Sequence, residues 1–206
     1  VDVSIIGKDE KLKIRANRTG SLTSTWRDGY ATLSAEKQKD EFEQSISNGY
    51  KNPVKLENVT FKGLNELSDS LLTDYSYTIK NEVIEAGSMH MIKVPFIDVV
   101  ATLESLTLDS RQFPIEYWNY ENTDAYETVV TIKFPEGQKL LEVPTDLNLS
   151  FRKSSYSVKY VKEGNLLKVY RKAILQRENI TPEEYDKFKA FFNAIVEAES
   201  KYVVFK

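Results

Sequence analysis

Apolar and polar residues alternate through the opening stretch: Val1, Val3 and Ile5, then Leu12, Ile14 and Ala16, with the turn-rich Gly7-Lys8-Asp9-Glu10 between them. A period of two on either side of a turn predicts a β-hairpin over residues 1–18. A polar, glycine-containing stretch follows and carries Trp26, Arg27 and Gly29. Ser34 then serves as N-cap of a helix over about 35–48, ended by Asn48-Gly49. The apolar stripe of that helix is thin, chiefly Ala35, Phe42 and Ile46, so one face packs and the rest is solvated. A strand over 54–62 changes phase between Leu56 and Val59, which a bulge at Glu57-Asn58 explains. The polar run from Gly63 to Ser70 marks the internal boundary.

Beyond it the pattern is mostly β. Tyr75, Tyr77 and Ile79 alternate with polar neighbours, Ser88 to Val94 reads as a strand, and 96–106 as a short helical or irregular piece. Val130, Ile132 and Phe134 define a strand closed by Pro135-Glu136-Gly137, and Leu147, Leu149 and Phe151 another. Tyr156, Val158 and Tyr160 pair with Leu167, Val169 and Ala173 across the turn Glu163-Gly164-Asn165. Thr181-Pro182-Glu183-Glu184 puts a hydroxyl at the N-cap, proline at N1 and glutamate at N3, a capping box. Tyr185, Phe188, Phe192 and Ile195 then recur at three- and four-residue steps, one apolar face of a helix over about 182–199. Tyr202-Val203-Val204-Phe205 closes the chain as a strand. The expected architecture is mainly β (α+β): a small β-β-α-β unit over 1–66, then an antiparallel β-sandwich over 67–206 with the amphipathic helix on its flank.

Composition narrows the chemistry. The 206 residues include no cysteine and one histidine, His90, which removes thiol nucleophiles, Cys/His zinc sites and multi-histidine metal sites. The net charge of −3 comes from interspersed charges of both signs, which argues against a nucleic-acid or anionic-membrane surface. No apolar run approaches the roughly 20 residues that a membrane helix needs. The N-terminus Val1-Asp2-Val3-Ser4-Ile5-Ile6 has no starting methionine, basic flank or signal-type stretch, and reads as the cut end of a longer product.

The ending Ile180-Thr181-Pro182-Glu183-Glu184-Tyr185, continuing through Lys187-Phe188, Phe191-Phe192 and Tyr202-Val203-Val204-Phe205-Lys206, follows a known pattern. So does Arg111-Gln112-Phe113-Pro114-Ile115, followed by Ile132-Lys133-Phe134-Pro135-Glu136-Gly137 and Val143-Pro144. Together they resemble the C-terminal region of bacterial transglutaminase-like proteins, the domain of unknown function that follows a papain-like core. The resemblance covers 110–206 and, more loosely, 1–70. These motifs are prolines, a glycine turn and a capped helix, so they mark a lineage and not a mechanism. The family's activity rests on a Cys-His-Asp triad in the core, and no catalytic residue carries over to a chain without cysteine. The resemblance implies a non-catalytic accessory module without cofactor or metal. Its partner is then an upstream transglutaminase-like core of the same polypeptide, in a periplasmic or cell-surface setting.

Candidate sites are few. His90 lies between two methionines in a strand pattern with no nameable partner, so it reads as a packed or edge residue and not a general base. The carboxylate pairs Glu82/Glu85 and Glu183/Glu184 fall in a turn and in the capping box. Asp98, Asp109 and Asp124 are dispersed, without calcium-loop spacing. Binding character concentrates in Tyr117-Trp118-Asn119-Tyr120-Glu121-Asn122, where clustered aromatics beside amides suit a glycan or cell-wall peptide. Tyr117, Trp118 and Tyr120 are therefore the candidate ligand-binding residues. The alternative is that Tyr117 and Trp118 lie on opposite faces of a strand, one in the core and one at a domain seam. For Trp26-Arg27-Asp28-Gly29, an arginine stacked on tryptophan at a junction is the expectation.

Overall fold

The structure is a computed structural model and describes residues 1–66, 70–102, 106–116 and 123–206. It divides into two compact units, Val1–Ile84 with Ile132–Glu136, and Glu85–Thr131 with Gly137–Lys206. The fold is mostly β with a C-terminal helix, as the alternating pattern predicts.

In the first unit, β1 (Asp2–Ile6) and β2 (Asp9–Thr19) form the expected hairpin, with Ile6 opposite Asp9. The two-residue turn needs a positive φ, which Gly7 supplies at 62°. After α1 (Ser21–Tyr30) and α2 (Ala35–Ser47) come β3 (Val54–Lys62) and β4 (Ser70–Ile79), giving the order β3-β4-β2-β1 with every neighbour antiparallel. The Ser34 hydroxyl caps α2 by accepting from the Lys37 amide. The β3–β4 register shifts between Leu56 and Asn58, the bulge that the phase change predicts.

Two features depart from the expected β-β-α-β unit. The stretch carrying Trp26 is a helix, α1, and not an irregular polar segment. Nothing local announces it: Gly20 is the N-cap and no side chain caps its first turn. Tertiary packing makes the helix, since Trp26 and Tyr30 join Phe42 and Phe61 in one aromatic cluster with ring centroids 5.2–6.2 Å apart. The strand through Tyr75, Tyr77 and Ile79 pairs with β2 and β3 inside this unit, filling the position between them.

The second unit contains β5 (Ile84–Ala86, Ile84 being grouped with the first unit), β6 (Met89–Lys93), β7 (Thr123–Lys133, its last two residues likewise), β8 (Leu140–Glu142), β9 (Leu147–Phe151), β10 (Ser154–Glu163) and β11 (Leu166–Gln176). A 3-10 turn at Pro182–Glu184 then leads into α3 (Tyr185–Glu199) and β12 (Tyr202–Phe205). The strand orders are β7-β11-β10-β9 and β5-β6-β12-β8. Tyr156, Val158 and Tyr160 face Ala173, Arg171 and Val169 across the hairpin, whose turn uses Gly164 at φ 60°. The inward row Leu167, Val169, Arg171 and Ala173 of β11 is fully buried. The apolar side of α3 supplies Tyr185, Phe188, Phe191 and Ile195 to the core, and Phe188 and Phe191 meet Phe151 of β9.

Candidate functional site

Tyr117, Trp118 and Tyr120 lie outside the described residues. The approach to them, the segment 106–116, is tied to α3 and to the residues before it. Lys189 Nζ donates to the Leu108 carbonyl at 2.8 Å, Arg111 stands 5.6 Å over the Tyr185 ring, and Ile115 bridges Ile180. Phe113 of this segment is exposed.

The other candidates have structural duties. His90 sits on β6 opposite Phe205, their rings stacked at 5.3 Å. Glu184 closes the capping box on the Thr181 amide and forms an ion pair with Arg152, whose Nη1 also donates to the Asn179 carbonyl at 2.8 Å. The Arg152 guanidinium and the Thr181 amide hold the Glu184 carboxyl below the usual carboxylate range. Arg152 itself turns the β9–β10 hairpin at φ 51°, a backbone conformation that non-glycine residues rarely adopt without such anchoring. Glu82 accepts from Asn52 at 2.8 Å. Asp124 is paired with Arg177.

At Trp26 the stacked cation is Arg18 of β2, 4.1 Å from the ring centroid, and not the adjacent Arg27. Residues next to each other on a helix point about 100° apart, so Arg27 turns away and donates to the Gly63 carbonyl at 3.1 Å. Both contacts lie within the first unit.

The two most deeply buried charges among the described residues escaped the sequence reading. Arg171, 2% exposed, sits on the inward row of β11 between Val169 and Ala173. Its Nη1 donates to Glu199 of α3 at 3.0 Å and to the Asp98 carbonyl at 2.8 Å, while Nη2 donates to Thr128 Oγ1 at 3.0 Å. Phe96 covers the guanidinium at 4.6 Å, and Tyr156 adds a 3.2 Å hydrogen bond to Glu199. Burial, then the Glu199 charge, push the Tyr156 hydroxyl up and keep it a donor. The second charge is Glu10, on the inward row of β2 with Leu12 and Ile14. In both cases period two places the position inward, and its charged identity argues outward.

An open groove between α1 and α2 is lined by Gly29, Tyr30, Leu33, Glu41, Gln44, Ser45 and Asn48. Its lining includes the Glu41 carboxylate and the Tyr30 and Ser45 hydroxyls, which hydrogen-bond to each other. No cluster of three or more histidine or acidic residues poised for a metal occurs among the described residues. Both Nη atoms of the Arg171 guanidinium and the Tyr156 hydroxyl are hydrogen-bonded, with only the buried Arg171 Nε left without a hydrogen bond, so the group is a clamp between β11, α3 and the loop bearing Asp98.

A family model, the domain of unknown function with solved structure DUF3858, matches residues 88–205, more than half of the chain. The matched region falls almost entirely on the second compact unit. No curated protein matches the chain. Among solved structures, a protein named "putative protease" from Parabacteroides distasonis aligns with 18% identity and a TM-score of 0.46. The alignment covers 58% of this chain and only 24% of that one.

Proposed function

The chain belongs to the DUF3858 family, and on that footing we propose that it is a non-catalytic accessory module of a transglutaminase-like protein of the bacterial cell envelope, in a periplasmic or cell-surface setting. It supports or positions a papain-like core carried elsewhere in the same polypeptide. The observation that carries this reading is the engagement of the chemically capable groups. Arg171, Glu199 and Tyr156 bind one another, Glu184 and Arg152 cap a helix and a hairpin, and His90 stacks on Phe205. Acyl transfer of the transglutaminase kind needs an activated thiolate, and the sequence has no cysteine to supply it. The proline, glycine and capping motifs from Arg111 to Lys206 support the lineage.

The test is to purify the chain alone and joined to the core of its own reading frame. Alone, it is expected to turn over no peptide, ester or glycoside. Joined, it is expected to raise the melting temperature or the turnover of the core. Turnover by the isolated chain that disappears in His90→Ala would sink the proposal. Saturable quenching of tryptophan fluorescence by a glycan or cell-wall peptide, lost in Trp118→Ala, would replace it with a binding module acting through Tyr117, Trp118 and Tyr120.

A further inference from the structure

Glu10 occupies a position where β2 calls for an apolar side chain. It is 2% exposed, in one row with Leu12 and Ile14, and its strand neighbours are Ile5 of β1 and Ile79 of β4, both buried. Its Oε1 is buried and has no hydrogen-bond partner. A carboxylate buried with one oxygen unpartnered loses hydration without a hydrogen bond there in exchange, which favours its neutral form.

Among the described residues, burial and the Glu82 charge are what act on this carboxyl, and no cation offsets them. From the turn after β4 Glu10 meets another negative charge, Glu82, whose Oε2 accepts from Asn52 of the segment before β3. From beyond α2 comes Tyr50 and from β4 Tyr77, their hydroxyls 2.9 Å apart and both pushed up, chiefly by burial. Lys80, at the end of β4, is bound to Asp9 at 2.6 Å, and Lys51 and Lys55 are exposed. Burial, then Glu82, push the Glu10 carboxyl up to about 8.

The turn that carries Glu82 is fastened to the β1–β2 hairpin near Glu10. The Val83 amide donates to the Lys8 carbonyl at 3.0 Å, and the Asn81 amide to Asp9 Oδ1 at 3.1 Å. We propose that a proton on Glu10 latches this turn, residues 80–84, onto the β1–β2 hairpin, and that losing the proton releases it. The latch is a pH-sensitive element of the first unit, independent of the proposed accessory role.

The direction follows from proton linkage. The folded state holds the Glu10 proton up to about pH 8, whereas the open state releases it near the ordinary glutamate value of 4.5. The closed turn therefore binds more protons across that window. Its stability is full below the lower value, declines as pH rises, and levels off above the upper one.

Hydrogen exchange of the Val83 and Asn81 amides on the whole chain, corrected for intrinsic exchange, reads this directly. Protection is expected to fall by up to about tenfold per pH unit between roughly pH 5 and pH 8, then flatten. In Glu10→Gln, a neutral isostere, it is expected to stay level. In Glu82→Gln, which removes the like charge and keeps Glu10, the flattening is expected to begin at lower pH. That second variant keeps the test decisive if Glu10→Gln folds poorly. Protection independent of pH in the parent overturns the latch, as does an unchanged decline in Glu10→Gln. Suppression of the decline by millimolar calcium or magnesium also overturns it, because a cation and not a proton would then neutralise the pair.

Discussion

Replacing Arg171 by alanine is expected to destabilise the second unit by about 3–5 kcal/mol, since removing one partner of a buried ion pair strands the other. The guanidinium is wholly inside and holds three groups at once: the Glu199 carboxylate, the Asp98 carbonyl and Thr128 Oγ1. Without it Glu199, with only 14% of its side chain exposed, keeps Tyr156 as its side-chain donor among the described residues. The loss also uncovers Phe96, which packs on the guanidinium. Urea denaturation followed by circular dichroism measures the effect. Arg171→Met combined with Glu199→Leu separates charge from packing: removing both partners and keeping the volume is expected to restore most of the loss or exceed the parent. Should Arg171→Ala unfold within about 0.5 kcal/mol of the parent, the range of ordinary surface substitutions, the clamp is not structural. The proposal that this network is occupied by stability and not by a ligand would then fail.

What was legible in the sequence was what local physics decides. The capping box at Thr181 and Glu184, the hairpin turn at Gly164 and the β3 bulge near Glu57 each depend on residues within a few positions of one another. Helix α1 was not legible because its Ser- and Thr-rich sequence and glycine N-cap give weak local preference; its packing partners, Phe42 and Phe61, come later in the chain. The strand β4 was visible as a strand, but its place between β2 and β3 rests on pairing across tens of residues. Arg171 and Glu10 show the same limit from the side of chemistry. Alternation put both positions inside, yet the Arg171 contacts lie 28 residues ahead at Glu199 and 73 behind at Asp98, where no spacing rule reaches. The aromatic run from Tyr117 to Tyr120 is legible only as composition, and it lies outside the described residues.

Phe188→Ala is expected to cost about 3–5 kcal/mol, the usual range for truncating a buried phenylalanine to alanine. Phe188 is buried on α3, in edge contact with Phe151 of β9 at 5.6 Å and with Phe192 at 4.9 Å. Truncation forfeits the transfer term of the ring and leaves a cavity that two aromatic neighbours, each fixed by other rings, cannot collapse to fill. Lys187→Ala, one position away and exposed, is the control and is expected to change stability by less than about 0.5 kcal/mol. The two variants together decide what the amphipathic face is for. A large loss at Phe188 with none at Lys187 means that α3 is held by its own unit, as the contacts to β9 require. If Phe188→Ala melts with the parent but loses binding to the core proposed above, the face is an interface and not part of the unit's own core.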